Sequence, residues 1–347
     1  MQKFRILLLH VAKNFGLFFL ARKLTNSGLR IVCYHGFSRL DEHLFRPKLF
    51  MSPAIFKKHL SCISKMGFDV ISLDDATTKL KSNTLPPNSL VFTVDDGWQG
   101  VEDIAEPVFK KFGFNWTLYL TSYYSEKQTP VYNMLIQYLC WKAEYKTYDF
   151  STFGPLFNSS TQEKSDSNFN GVVNIFLNSI ERLETANEKD VFARTVASVF
   201  GIDYDAIDNA RLFHLISATS AKNLDSKGVH IELHTHRHSL GDMSEAVLRK
   251  EIVENKTFIS DACSRVPRHF CYPSGEYTQD HLLWLASLNV VSATTCHSGA
   301  NYQGANVMEL SRILDGENLT LIELEAELSG FKDLFRGASK RRLVASH

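Results

Sequence analysis

The stretch "SLVFTVDDGWQG", residues 89–100, decides the fold. After Ser89, its next five residues form a short run of apolar, β-branched and aromatic side chains. A run this brief and this uniformly apolar suits a strand buried on both faces, as in a parallel sheet. The apolar character then stops within one residue, and Asp95, Asp96 and Gly97 follow in succession. Comparable runs are "RIVCYH" (30–35), "FDVISL" (68–73), "FNWTLYL" (114–120), "VHIEL" (229–233), "RHFCYP" (268–273) and "NVVSATT" (289–295). Helical patterns lie between them. Residues 52–66 open with Ser-Pro and repeat apolar side chains at Ile55, Phe56, Leu60 and Ile63. Residues 243–263 carry a stripe of Val247, Leu248, Ile252 and Ile259, and 277–288 is shorter and similarly amphipathic. Strands alternating with helices predict an α/β parallel sheet, and about seven such units predict a closed or nearly closed barrel.

The rhythm breaks between about 122 and 228. Helical patterns such as "VVNIFLNSIERLE" and "KDVFARTVASVF" there predict a largely helical insertion, about 125–225, with a mobile connection near 158–171. The expected organisation is an apolar N-terminal helix over 1–27, a barrel over 28–320 that carries the insertion, and a C-terminal helix and basic tail over 321–347.

Composition narrows the function classes. The chain has 347 residues, 44% hydrophobic, enough for a large core. Its 38 basic and 38 acidic side chains balance, so no whole-molecule field draws in nucleic acid, and selectivity must reside in a local site. Six cysteines without a C-x-x-C pair read as buried free thiols in a reducing compartment. In "MQKFRILLLHVAKNFGLFFLARKL", His10, Lys13 and Asn14 split the apolar residues into two runs, each shorter than the ~18 a spanning helix needs. No convincing cleavage site follows. A helix packed on the main domain is expected, with a seat on a membrane surface as the functional alternative. The expected location is therefore cytoplasmic, with peripheral membrane association open.

Three strand ends carry the chemistry, since loops there build the sites of parallel α/β barrels. Neighbouring side chains on a strand point to opposite faces, so Asp95 and Asp96 reach one site only if the chain turns, and Gly97 can supply that turn. Alone, "DDG" would be a solvated turn. "ELHTHRH" puts histidines at 234, 236 and 238. Strand periodicity would align all three, and helical spacing would align His234 with His238 only. Two histidines and a carboxylate suit a divalent metal and leave coordination positions open. "FCYPSGEY" (270–277) adds a tight loop at Tyr272, Pro273, Ser274 and Gly275 that can aim backbone N–H groups into a cleft.

"TVDDG", "HTHRH" and "FCYPSGEY" in this order resemble the polysaccharide deacetylases that share the NodB homology domain, carbohydrate esterase family 4. "RIVCYHGF" resembles the family's first strand, and "MELSRI" resembles the closing "LPRI"-type strand of the subgroup with a "YPxG" loop. The likeness covers about 28–125 and 225–315. It implies a distorted (β/α)7-type barrel and hydrolysis of N-acetyl groups on a polysaccharide, an oligosaccharide or a lipid-linked sugar. It further implies Asp95 as catalytic base, and Asp96, His234 and His238 as ligands of a divalent metal, Zn²⁺ foremost. His236 falls at a variable position. The loop over Tyr272, Pro273, Ser274 and Gly275 would face substrate and oxyanion, with the Ser274 amide as donor.

The sequence departs from the family in three places, the first being the missing aspartate-tryptophan fourth motif. Cys271 stands where an arginine usually orients the base, and Arg268 and Arg312 are the candidates to substitute for it. No "LxH" supplies the usual general acid, which leaves His35 as the first candidate and His297 as the second. Two other readings compete. One is a degenerate, non-catalytic metal-containing domain that binds saccharide or acts as a scaffold. The other is an amidohydrolase-type barrel, in which the upstream "DDG" would have no task.

Overall fold

The computed structural model describes residues 2–143 and 169–336. Its strands are β1 (Arg30–Tyr34), β2 (Gly36–Phe37), β3 (Phe50–Met51), β4 (Asp69–Val70), β5 (Ser89–Val94), β6 (Thr117–Leu120), β7 (His230–Leu233), β8 (His269–Cys271), β9 (Ser292–Thr294) and β10 (Ile313–Leu314). The main sheet runs β10–β1–β5–β6–β7–β8–β9, with β4 also beside β5, and every pairing is parallel. Its two edges nearly meet. Leu310 bonds to Ala293 and Thr295 at the β9 edge, and three residues later Ile313 pairs with Val32 of β1. The result is the distorted (β/α) barrel expected from the alternation of strands and helices. β2 and β3 form a separate small ribbon.

Several predicted strands are shorter than their apolar runs. The run 68–73 keeps two strand residues, because Ser72 leaves the sheet to cap the helix Leu73–Ser82 by accepting from the Asp75 amide at 3.1 Å. In the run 114–120 the ladder starts at Thr117, and Phe114 packs its ring against Phe92 and Phe112 instead. The helix predicted over 52–66 spans Pro53–Met66, with Ser52 as its N-cap.

Strand parity organises the core. Val32 and Tyr34, Leu90, Phe92 and Val94, Leu118 and Leu120, and Phe270 and Tyr272 face the outer helices in one cluster with Phe56, Leu60 and Phe109. Their strand neighbours Ile31, Val91, Tyr119 and Cys271 belong to a different cluster on the inner side. Continuing that inner set upward gives His35, Asp95 and His234, each one position beyond its strand. The period of two therefore brings residues far apart in sequence to the same mouth.

The N-terminal segment is a pair of helices, Gln2–Asn14 and Leu17–Leu24, bent by 75° at a break where Gly16 has a φ of 75°. Leu9, Ala12 and Phe18 pack on Ile322 and Ala326 of the helix Leu321–Leu328. Among the described residues no single helix is long and apolar enough to cross a membrane.

Between β6 and β7 the described elements are helices: Ser122–Lys127, Tyr132–Lys142, Phe169–Glu181, Ala186–Phe200, Tyr204–Asn209 and Ala218–Ser226. They share a core of their own that includes Tyr132, Leu139, Phe176, Phe192 and Leu215. Of the connection expected over 158–171, residues 158–168 lie outside the described residues and 169–171 begin the helix Phe169–Glu181, and the tail with Lys340, Arg341 and Arg342 also lies outside. The six cysteines are free, and Cys296 is exposed rather than buried.

Candidate metal centre and catalytic carboxylate

The carboxylate pair separates at the end of β5. Asp95 continues the inward parity, and its amide still bonds to the Tyr34 carbonyl at 2.9 Å. Asp96 would face outward, but its φ is 72° and that of Gly97 is 93°. The turn therefore begins one residue earlier than the glycine suggests, and an aspartate occupies the left-handed region that non-glycine residues seldom adopt. Gly97 is required for space as well, because a Cβ there would lie 2.3 Å from Leu120.

Asp96 Oδ1 faces His234 Nε2 at 3.3 Å and His238 Nε2 at 3.1 Å. Its other oxygen accepts from the Trp98 indole at 2.7 Å. Oδ1 is buried and has no hydrogen-bond partner. An orphaned carboxylate oxygen costs free energy unless something else satisfies it. His234 Nδ1 lies 2.9 Å from the Cys271 carbonyl, which accepts only from a protonated nitrogen and so leaves the Nε2 lone pair free toward Asp96. Two imidazole nitrogens and one carboxylate oxygen, all within 4.8 Å of one another, make a donor set that fits a divalent metal. His238, with 41% of its side chain exposed, forms the solvent side of the set.

Backbone supports hold this geometry. Asn255 accepts from the His234 amide at 3.0 Å and donates to the Leu120 carbonyl and the Ser122 hydroxyl, both at 2.9 Å. Arg237 bonds to Glu251 through its amide at 2.8 Å and its guanidinium at 2.6 Å, which pins the histidine loop to the helix Glu245–Ala262. Thr235 and His238 have φ values of 61° and 55°, so backbone strain concentrates in this loop. His236 turns away, with Nδ1 2.9 Å from Ser122 Oγ and its ring edge-on to Tyr123.

Asp95 sits in a different environment. Arg312 Nη1 donates to Oδ1 at 2.7 Å. The Cys271 and Cys33 thiols lie 3.4 and 3.6 Å from Oδ2, and His35 Nε2 is 3.6 Å from the same oxygen. Burial pushes the Asp95 carboxyl up, but Arg312 and His35 outweigh it and hold its pKa at about 2. Burial drives both thiols well above the ordinary range, so they act as protonated donors. Asp96 is likewise held well below the usual carboxylate range: burial opposes ionisation, and His238 and His234 overcome it.

Of the two arginines named as substitutes, Arg312 meets Asp95, with further bonds to the Thr295 carbonyl and Cys271. Arg268 does not. It lies just before β8, at the opposite end of the barrel, and its guanidinium bonds to Asp74. His297 lines a cavity with Gly275, Glu276 and Tyr277, and its ring packs against Tyr277, while His35 is the histidine beside Asp95. The loop after β8 turns through Ser274 (φ 57°) and Gly275 (φ 73°), where a Cβ on Gly275 would meet Cys296 at 2.7 Å. The Tyr272 amide donates to Thr294 and the Gly275 amide to Tyr272, and Pro273 has no N–H.

Sequence reasoning did not anticipate the thiol pair, the Trp98 indole or Asn255. For Asn255 a signal existed, since it interrupts the buried stripe Leu248, Ile252, Ile259 with an amide. Of the aromatic residues in the insertion, Tyr132 and Trp141 pack in its core and Tyr123 faces His236. Tyr124 lines a cavity beside Asp96 and His238.

Residues 196–293 match the family model described as polysaccharide deacetylase. No curated protein matches the sequence. Among solved structures, a Streptococcus pyogenes deacetylase, PplD, in complex with acetate, aligns with a TM-score of 0.57 at 16% identity, over 87% of this chain and 98% of its own. IcaB from Ammonifex degensii aligns at 0.56 and 15% identity, over 87% and 97%. A de-N-acetylase from Aggregatibacter actinomycetemcomitans aligns at 0.54 and 11%, over 86% and 99%. At these identities the likeness is one of fold.

Proposed function

We propose that this chain, a member of the polysaccharide deacetylase family, removes N-acetyl groups from a saccharide, with Asp95 as general base beside a divalent metal held by Asp96, His234 and His238. The observation that carries this reading is the division of labour between adjacent carboxylates. Asp96 has a buried oxygen aimed at two imidazoles, whereas Asp95 is bonded to Arg312 and stands outside that donor set. A purely structural or saccharide-binding role would need the first arrangement and not the second. When bound, a cation such as Zn²⁺ supplies Lewis-acid polarisation of the amide carbonyl and a more acidic water. Asp95, kept ionised by Arg312, accepts the proton of the attacking water, and Arg312 fixes the direction of its other oxygen, which accepts only weak thiol hydrogen bonds. The Ser274 N–H, the one loop amide from 272 to 275 neither committed nor missing, serves the developing oxyanion. His35, at 3.6 Å from Asp95, holds the proton for the departing amine.

The test is acetate release by metal-loaded and metal-stripped protein on N-acetylated oligosaccharides, peptidoglycan fragments and lipid-linked N-acetyl sugars. Release from at least one class that disappears on stripping and returns with Zn²⁺ is expected. Stoichiometric metal binding with no release from any class supports the non-catalytic alternative.

The N-terminal helix pair supports a second element of this reading, a seat on an anionic lipid surface. Phe4, Leu7, Leu8, Phe15, Phe19 and Leu20 are each more than half exposed. Residues 1–29 contain Lys3, Arg5, Lys13, Arg22 and Lys23 and no acidic side chain. Arg5 and Lys13 pair with Glu323 and Glu325 and Arg22 bonds to Asn88, so Lys3 and Lys23 supply the basic charge that accompanies this apolar bulk, the combination an interfacial helix uses. Full-length protein should sediment with vesicles containing phosphatidylserine, and less so at high salt. Leu8→Glu with Phe19→Glu should abolish this, and unchanged sedimentation of that variant would remove the helix pair from the account.

A further inference from the structure

An amide substrate has two ends, and the cavities at this mouth differ in chemistry. Asp96 and His238 form one wall of a cavity of about 270 Å³ whose other walls include Leu49, Val131, Met134 and Leu215. A second cavity, of about 650 Å³, borders the 273–275 turn and is lined by Asp242, Glu276, Tyr277, Gln279 and His297. The first cavity is also lined by Trp98, Thr121, Tyr124 and Arg237, but the Trp98 indole, the Thr121 hydroxyl and the Arg237 guanidinium are already bonded to Asp96, the His234 carbonyl and Glu251. A hydroxyl-rich ring therefore finds more open hydrogen-bonding partners in the second cavity than in the first. Hydrocarbon has the opposite preference.

Resting on the deacetylase reading above, we infer that the aliphatic cavity receives the acyl group of the substrate amide, and that it accepts acyl chains longer than acetyl. The size argument is direct. A single methyl group is about as large as one water, whose share of the liquid is roughly 30 Å³, so an acetyl group fills only a small part of the space beside the metal ligands. The walls are also preorganised. Val131 donates its amide to the Phe213 carbonyl at 2.8 Å, Leu215 bridges to Trp98, and Ile216 donates to the Gly97 carbonyl at 2.9 Å. These bonds strap the insertion to the turn that carries Asp96, so the cavity is a fixed feature of the centre. The insertion thereby sets acyl specificity.

Carboxylates mimic the acyl product, and their binding can be measured without knowing the sugar. Acetate, butanoate and hexanoate are titrated calorimetrically into full-length, zinc-loaded protein. Affinity should rise along the series, with hexanoate at least tenfold tighter than acetate. Met134→Trp or Val131→Phe, each checked for an unchanged melting transition, should reduce the hexanoate-to-acetate ratio to below threefold. Carboxylate release from N-acetyl, N-butanoyl and N-hexanoyl glucosamine tetramers should shift the same way. Equal affinity for acetate and hexanoate would overturn the acyl-cavity assignment while leaving the metal centre intact. Binding of none of the three would overturn both.

Discussion

The two ends of the barrel carry the same kinds of residue and treat them in opposite ways. At the N-terminal end of the strands, Asp74 accepts from His269 Nε2 at 2.8 Å and from Arg268 Nε at 2.9 Å, and Glu232 accepts the Arg268 and His269 amides at 2.7 Å. His269 completes its bonding through Ser292 at 2.7 Å. The hydrogen bond from His269 and the neighbouring Arg268 hold Asp74 below the usual carboxylate range. At the C-terminal end, Asp96 keeps a buried oxygen without a hydrogen bond, and Asp96, Thr235, His238 and Ser274 sit in the left-handed region. A closed network of acid, imidazole and guanidinium seals a barrel. A strained and unsatisfied one is poised to take a ligand. Residue type alone does not distinguish the two ends.

The largest contrast should appear in metal binding. His234→Ala should lower zinc affinity by well over the ~10–100-fold that loss of an outer partner costs. His236→Ala should fall within that smaller range, and His269→Ala should leave affinity unchanged. Competition titration with a chromophoric chelator reads all three, and equal losses for His234 and His236 would break the assignment of ligands.

The arginines should give the next effect. Removing Arg312 leaves Asp95 buried without its main cation, so its pKa must rise from about 2. The sign follows: a depressed carboxyl stabilises the fold above its unfolded pKa, and that stability is lost as pH falls through the folded value. In Arg312→Met the loss begins at higher pH, and the acid limb of kcat/KM should move up with it. Misplacement of the base should also cost about 10²-fold in rate. Arg268→Met, at the sealed end, should leave the pH profile unmoved. An acid limb unchanged in Arg312→Met would detach it from the base.

How much of this was readable beforehand depended on parity and on closure. The apolar run 89–94 matched β5 to the residue, and the three motif-bearing strand ends all open on one mouth. The inward set of Cys33, His35, Asp95, His234 and Cys271 follows from the period of two, once the strands are known to be parallel and adjacent. The choice between Arg268 and Arg312 did not follow. It required knowing that 268 immediately precedes a strand whereas 312 lies in the segment that closes the barrel over Asp95. Nor could sequence give the backbone flip at Asp96, because Gly97 offered a simpler account of the turn. The N-terminal segment, expected as one helix over 1–27, instead breaks into two at Gly16.

The central claim is that Asp95 works as a base while its neighbour holds the metal, and Asp95→Asn tests it most directly, with Asp74→Asn as the sealed-end control. Both are assayed for zinc content and for acetate release on a substrate the wild type turns over. Asp95→Asn should keep its zinc and lose about 10²–10⁴-fold in rate, as expected for loss of a general base, while Asp74→Asn keeps both. Full acetate release by Asp95→Asn with zinc in place would contradict the account.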